Sequence, residues 1–470
     1  MKAFVFVFVA LFAICLARPN SDERKFVSPV VDKFIEEFKN KLSNKRLAEI
    51  FENCYPNTLD TTIFSYTTGE STSDEDTFLV TGDITAMWLR DSTNQISPYI
   101  RFANEDPKLA SMIRGVINRQ VKSILLDPYA NAFNYDKFGN VESHHDDSSS
   151  RTGIMGVRIN ALTPEIFERK YEIDSLAAVL LLSYNYYNAT LDKTPFDERW
   201  EKAVKLIIHT AKENQWHTRP GYGAEYRFSR KTTTPTECLK DEQGWPAAHT
   251  NMVRTAFRPS DDAAFLPFNI PGNLMLVVNL RRAAAMLRSI RGNDNLADEA
   301  SQLANDIEEG VKKYGIIEKE GETSYTFECD GYGNNYFMDD ANIPSLLSLP
   351  YLGVCSNTDP LYLQTRKFIL SERNPYYWKG SAGEGTGGPH QGIGWIWPMS
   401  IIMRAYTSED RDEVKQCLEW LQNSATTGYM HETFWLDNVN SYTRPWFAWA
   451  NSLFGDLLIH ISEKFPELLF

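Results

Sequence analysis

A histidine and a glutamate stand side by side at His431-Glu432, shortly ahead of Tyr442-Thr443-Arg444-Pro445-Trp446-Phe447-Ala448-Trp449-Ala450-Asn451, which opens an apolar helical stretch. Acids recur in comparable settings: Asp91 after Trp88-Leu89-Arg90, the pair Asp261-Asp262 after Phe257-Arg258-Pro259-Ser260, and the pair Asp339-Asp340 after Gly331 to Met338. In each case a polar and aromatic loop hands over to a helical pattern. Carboxylates gathered at one end of a helical scaffold suit acid/base work on a polyol, because an oxocarbenium-like transition state needs a proton donor and a base. Indole and phenol faces beside them suit the C–H surface of a sugar ring. The expectation from these residues is glycoside hydrolysis.

Each motif also has a purely structural reading. Trp88, Arg90 and Asp91 offer a ring face and charged hydrogen bonds for adjacent hydroxyls, but a helix-entry salt bridge beside a core tryptophan uses the same residues. Ser260-Asp261-Asp262 reads as a helix start, with Ser260 as cap and the acids in the first turn. Two adjacent acids beside Arg258 exceed what a cap needs, and like charges close together would raise one of them into the range of a general acid. Gly331 to Asn342 has no phosphate-loop spacing and reads as a turn presenting amides and aromatics, with Asn335 and Asp339 as candidate sugar contacts. Gly385 to Trp397 is a glycine-rich loop that would bring His390 and Trp397 close to a ligand. His431-Glu432 lacks the second histidine of a zinc-binding HExxH, so no metal and no cofactor is expected.

The elements that must position these residues are helical. Val31 to Phe51, Leu109 to Leu126, Leu176 to Tyr187, Trp200 to Lys212, Asn273 to Leu287 and Asp298 to Lys313 carry apolar residues at helical spacing. Some stretches are bounded by charge and should face solvent. Others, such as Leu176 to Tyr187, Leu274 to Leu287 and Gly394 to Ala405, are apolar nearly all round and should be buried. Buried helices are expected to begin near Met87, Asp174, Asp261, Asp339, Gly392 and Arg444, alternating with amphipathic partners near Val31, Pro107, Phe196, Asn295, Asp359 and Glu409. That rhythm predicts an all-α (α/α)6 barrel in one domain, 18–470. Short strands such as Thr77 to Val80 and Glu225 to Arg227 would decorate the face carrying the site.

Met1-Lys2 and the apolar run Ala3 to Leu16 read as a secretory signal, residues 1–17, cleaved after Ala17. A secretory-pathway destination, extracellular or lysosome-like, follows as the expectation. No later apolar run is long enough to span a membrane. A net charge of −14 without a basic block argues against nucleic acid as partner. Outside the signal five cysteines remain, an odd number that leaves at least one thiol unpaired and allows one or two disulfides. Asn188-Ala189-Thr190 is the only glycosylation sequon.

The chain resembles the family 125 glycoside hydrolases, metal-independent exo-α-1,6-mannosidases with an (α/α)6 barrel that act with inversion. The resemblance rests on Met87 to Ser92, Lys170 to Leu176, Phe257 to Ala263, Met338 to Pro344, Gly387 to His390, Gly394 to Met399, His431-Glu432 and Tyr442 to Asn451. It implies an α-mannoside as substrate, a general acid at Asp261 or Asp262, and a general base at Glu432, with the carboxyls about 6.5 to 9.5 Å apart as inversion requires. It further implies mannose contacts from Arg90, Asp91 and His390 and pocket walls from Trp397 or Trp446, with Trp88, Arg258, Asn335, Asp339, His431 and Arg444 as further candidates. The rival readings are a glucoamylase-like (α/α)6 glycosidase of other specificity and a mannoside-binding protein without turnover.

Overall fold

A computed structural model describes residues 17–136, 151–152, 158–159, 163–218, 226–319 and 321–470. Twelve α-helices form among them: α1 (Pro29–Lys41), α2 (Lys45–Cys54), α3 (Leu89–Ile96), α4 (Pro107–Leu126), α5 (Ile173–Thr190), α6 (Glu198–Glu213), α7 (Ile270–Met286), α8 (Asp294–Gly310), α9 (Pro360–Ile369), α10 (Pro398–Tyr406), α11 (Arg411–Ser424) and α12 (Ala448–Lys464). The inner ring is read from its packing: α12 against α3, α3 against α5, α5 against α7, and α10 against α12. Outer helices lie against it, α8 on α7, α4 on α5, α11 on α10 and α2 on α12. This is the all-α (α/α)6 toroid that the alternation predicts. Sequence pattern and packing agree because α5, α7 and α12 are apolar around most of their circumference and so cannot face water.

Several boundaries differ from expectation, among them the helix expected near Gly392, which begins at Pro398. The stretch 31–51 is two helices, because the chain leaves helical geometry at Leu42 and Asn44 caps α2 by accepting from the amides of Arg46 and Leu47. Ser260 does not start a helix. Asp261 takes a left-handed backbone, φ 67°, inside a turn closed by Arg258 N to Asp262 O at 2.7 Å, and α7 begins only at Ile270 under its cap Asn269. Residues 339–354, expected as a buried inner helix, form successive turns. Pro344 and Pro350 supply no amide hydrogen there, and Asp339 takes the amides of Leu346 and Leu347 at 2.8 and 3.0 Å.

Short strands stand directly before inner helices. Met87–Trp88 pairs with Ala132–Phe133 and leads into α3; Phe268–Asn269 pairs with Glu328–Cys329 and leads into α7; Trp395–Ile396 pairs with Phe434–Trp435 and precedes α10. Asp76–Leu79 forms a strand where one was expected, while residue 225 of the expected 225–227 segment, like residues 1–16 of the expected signal, lies outside the described residues. Cys54, Cys238, Cys329, Cys355 and Cys417 are all free thiols. Asn188 is exposed near the end of α5, and among the described residues no helix is long and apolar enough to cross a membrane.

Candidate active site

How the inner helices begin explains where the site lies. Several outer helices are capped by their own side chains, Ser28 for α1, Asp106 for α4, Asp197 for α6 and Asp410 for α11. The inner helices α3, α5, α10 and α12 have no side-chain cap, and the residues preceding them are Trp88, Glu172, Trp397 and Phe447. Trp88, Trp397 and Phe447 line one pocket of 60 Å³ together with Trp449, Arg90, Asp91, Ser260, Asp261, Asn342, His390, Glu432 and Arg444. Uncapped helix N-termini leave donor amides and positive partial charge at this end of the barrel. The acids therefore collect where the scaffold is electropositive.

Arg90 organises one wall. Its guanidinium lies 2.6 Å from Glu172, 3.1 Å from Asp174 and 3.4 Å from both Asp91 and Asp261. Lys170 adds a second cation, donating from Nζ to the backbone carbonyl of Asp261 at 2.8 Å. So many buried carboxyls around two cations cannot all shed their protons. Burial pushes Asp91 up to about 6 and Glu172 well above the ordinary range, Arg90 opposing both. Burial also raises Asp261, but Arg90, Lys170, a hydrogen bond with Glu172 and then His390 outweigh it and hold Asp261 down, to about 2. Of the two, Glu172 is thus the group with the higher affinity for a proton, and the Asp261 carboxyl faces the pocket.

Glu432 occupies the same pocket in a different setting. Thr443 Oγ1 donates to it at 2.7 Å, Gln391 Nε2 donates at 3.1 Å, and Arg444 Nε lies 3.3 Å away. Every one of these groups is a donor, so the carboxylate is held as an acceptor. Arg444 also pairs with Asp83, which ties the 82–84 loop to Glu432. His390 completes the ring of charge. Desolvation would lower it, but Asp262, with Oδ1 3.7 Å from Nδ1, and then Asp261 and Glu432 raise it to about 9.

The two aspartates of the pair diverge. Asp261 lines the pocket; Asp262 is buried, accepts from Ser260 Oγ at 2.9 Å and faces His390. Of the sugar-contact candidates, Trp88, Arg90, Asp91, His390, Trp397 and Arg444 line the pocket. Arg258 does not, being held in a two-pronged bridge to Glu328 at 2.6 and 2.8 Å. Asn335 lies on a strand and donates to Gly333 O, and Asp339 is consumed by the Leu346 and Leu347 amides. His431 is fully buried, bonded to Arg444 O at 2.7 Å and Thr426 Oγ1 at 3.1 Å, and stacked on Tyr442. Burial lowers its pKa to about 4, so it serves as a neutral prop for the Glu432 loop. Trp446 packs against Gly82 instead of walling the pocket; a Cβ on that glycine would meet the indole at 2.9 Å.

Lys170, Glu172, Asp174, Asn342, Gln391, Thr443, Phe447 and Trp449 fall within the stretches that the motifs cover but were not named there as candidate site residues. Lys170, Glu172 and Asp174 carried a signal, charges at alternating positions running into an apolar helix, where each would need a buried partner. Buried polar atoms without a hydrogen bond also cluster here: Nε1 of Trp88, Trp397 and Trp449, Nε of Arg90 and Oδ2 of Asp91, the last still in its ion pair with Arg90. A larger cavity, 730 Å³, opens near the C-terminal end of α10, but its Arg366 and Arg404 are matched by Glu413 and Glu384. Size favours that cavity; chemistry favours the small pocket, where acids of contrasting environment meet. No cluster of potential metal ligands occurs among the described residues.

Comparison with known proteins agrees with this geometry. A curated relative, the meiotically up-regulated gene 157 protein of Schizosaccharomyces pombe, is 43% identical over 464 residues, spanning 96% of this chain and 89% of its own. A Streptococcus pneumoniae structure, from work on metal-independent α-mannosidases in the processing of N-linked glycans and holding α-1,6-mannobiose in a non-productive complex, superposes with a TM-score of 0.85 at 37% identity, covering 93% of this chain and 99% of that one. A bacterial glucoamylase complexed with acarbose shares the fold at a TM-score of 0.54 and 12% identity, over 92% of this chain and 59% of its own. The family model for metal-independent α-mannosidases matches residues 44–459, and the chain belongs to that family, glycoside hydrolase family 125.

Proposed function

We propose that this α-mannosidase-type glycoside hydrolase removes single mannose units from the non-reducing end of α-1,6-linked mannosides with inversion of configuration. The observation that carries the reading is the meeting of Asp261 and Glu432 in one small pocket walled by Trp88, Trp397, Trp449 and Phe447. Its 60 Å³ corresponds to roughly four to six water-sized volumes, the scale of one sugar ring and not of a chain. That size supports exo action. The α-1,6 linkage is supported by the mannobiose held in the pneumococcal relative.

Asp261, and not its neighbour, is the proton donor in this mechanism, because Asp262 is turned to His390 and Ser260. The proton comes from Glu172, one hydrogen bond behind Asp261. As the sugar displaces water, the Asp261 carboxylate loses solvation and its affinity for that proton rises, so the proton passes forward and then to the glycosidic oxygen. Glu432 accepts a proton from a water molecule that attacks the anomeric carbon from the opposite face, oriented by Gln391 and Thr443.

The deciding experiment follows α-1,6-mannobiose by proton NMR in excess chelator, comparing the parent with Glu432→Gln. β-Mannose as the first product, lost in the variant, is the expected result. α-Mannose first, or undiminished turnover in Glu432→Gln, would refute inversion or the role of Glu432. A secretory route is part of the same proposal. It is supported by the leader-like start, the exposed Asn188, and Arg18, which is tied to Asp60 at 2.7 Å and Asp32 at 2.6 Å immediately after the expected cleavage point. Secreted protein whose N-terminus is Arg18 is the expected outcome of terminal sequencing.

A further inference from the structure

Asp261 sits at the tip of a short hairpin, and the base of the same hairpin carries an exposed aromatic ring. Phe257 and Ala263 face each other in an antiparallel bridge, Ala264 N donates to Ala256 O at 2.8 Å, and the chain emerges at Phe265, 53% exposed. Phe265 follows Asp261 by four residues, so their Cα atoms are at most about 14 Å apart.

The Phe265 ring belongs to a row. Its centroid lies 6.0 Å from that of Trp245, itself 40% exposed, and 5.2 Å from that of the half-buried Tyr336. Singly exposed aromatic residues are ordinary on a protein surface, whereas three in contact form a patch that asks for an occupant. The row is held rigidly. Glu328 Oε2 accepts from the amides of Phe265 and Leu266 at 3.1 and 3.0 Å. The same carboxylate grips Arg258, whose guanidinium lies 5.8 Å from the Tyr336 ring centroid. Arg258, which does not line the catalytic pocket, thus joins the acid-bearing hairpin to the aromatic row. Lys240 Nζ, 5.1 Å from the Trp245 centroid, adds a charged hydrogen-bond donor at its edge.

Chemistry sets the direction in which a substrate leaves the pocket. The pocket takes one sugar ring, and a general acid must reach the glycosidic oxygen, the atom that joins this ring to the rest of the substrate. With Asp261 as the acid, the leaving group emerges on the Asp261 side, where the hairpin leads to Phe265. Fixed ring faces with a charged donor at one edge suit the C–H faces and hydroxyls of sugars. We infer that Phe265, Trp245 and Tyr336 form a platform for the leaving-group mannose units of a longer chain, an inference that rests on the reading of Asp261 as general acid of an α-1,6-mannosidase. The enzyme then favours oligomannosides over the disaccharide. Continuity of the row with the acid-bearing hairpin favours substrate over a second copy of this chain as its occupant.

The test compares kcat/KM for α-1,6-mannotetraose and α-1,6-mannobiose in the parent, Phe265→Ala, Phe265→Trp and Trp245→Ala, with melting temperature and sedimentation of each. The parent is expected to prefer the tetraose several-fold. Phe265→Ala should shrink that ratio about threefold or more, within what one aromatic contact contributes, and chiefly through KM. Trp245→Ala should shrink it less, and Phe265→Trp should keep it near the parent's. A merely structural role would lower both substrates alike, together with the melting temperature. Equal kcat/KM for the two substrates in the parent, or a ratio that Phe265→Ala leaves unmoved, would overturn the platform while the α-1,6 reading stood. Hydrolysis of neither substrate would sink that reading and the platform together. A parent dimer that Phe265→Ala separates, with the ratio unmoved, would give the row to a second copy and likewise overturn the inference.

Discussion

Two pairs of adjacent aspartates, Asp261-Asp262 and Asp339-Asp340, look alike in sequence: each follows an aromatic loop and each precedes an expected inner helix. The fold gives them opposite tasks. Asp339 spends both oxygens on the amides of Leu346 and Leu347, and Asp340 Oδ1 accepts from the backbone and side chain of Asn342, so this pair ties a knot of turns in the place of a regular helix. Asp261 is turned outward by its left-handed backbone and meets Arg90, Lys170 and Glu172 at the pocket wall, while Asp262 anchors His390. What separates a structural acid from a chemical one here is the partner. Backbone amides hold a carboxyl group in one place; a shared proton beside a cavity leaves it able to react.

The comparison breaks most sharply at Asp261. Asp261→Asn is expected to lower kcat/KM for α-1,6-mannobiose by about 10³-fold, within the range for loss of a general acid, with melting nearly unchanged. If Asp261→Asn keeps parental activity and Asp262→Asn loses it, the roles within the pair are reversed. Asp339→Asn should do the converse. It removes an acceptor from buried amides and should cost about 1–3 kcal/mol of stability by denaturant titration, leaving kcat near the parent's well below the melting temperature.

Glu172→Gln sharpens the contrast further. Without its shared proton Asp261 must take one from solvent, so kcat is expected to fall about tenfold or more and to recover in part at lower pH, whereas a merely structural glutamate would give a pH-independent loss. A smaller effect belongs to Asp262. His390 has its folded-state pKa raised from 6.5 to about 9, so the stability this pairing contributes is fully present below pH 6.5 and lost as pH rises through about 9. Its partial exposure discounts the term to about 1 kcal/mol. Melting of the parent should therefore fall over that window relative to Asp262→Asn, and parallel curves would sever the His390–Asp262 link.

The helices were legible because burial writes a local period into the chain. The run at 176–187 lies within α5, the run at 273–287 ends one residue past α7, and the outer partners begin within a few residues of their expected starts. The expected inner helix near Asp339 failed because Pro344 and Pro350 deny the ladder its donors, a constraint that apolar spacing alone does not weigh. The site was legible in part. Trp88, Arg90, Asp91, Asp261, His390, Trp397, Glu432 and Arg444 converge as the motifs suggested, but His431, Arg258 and Trp446, equally prominent in sequence, hold neighbouring chain in place. Nothing adjacent in sequence distinguishes the two groups.

By itself the sequence determined the alternation of buried and solvated helices, the absence of a basic surface block and the carboxylates available for acid/base work, all of which depend on residues near one another along the chain. Tertiary structure decided what each acid touches. Arg90 meets residues 172, 174 and 261, and Glu432 is held by residues 391, 443 and 444, only when the ring of helices closes. Proton affinity is set by burial and by charges within a few ångströms, and those distances come from the closed barrel and not from the order of residues.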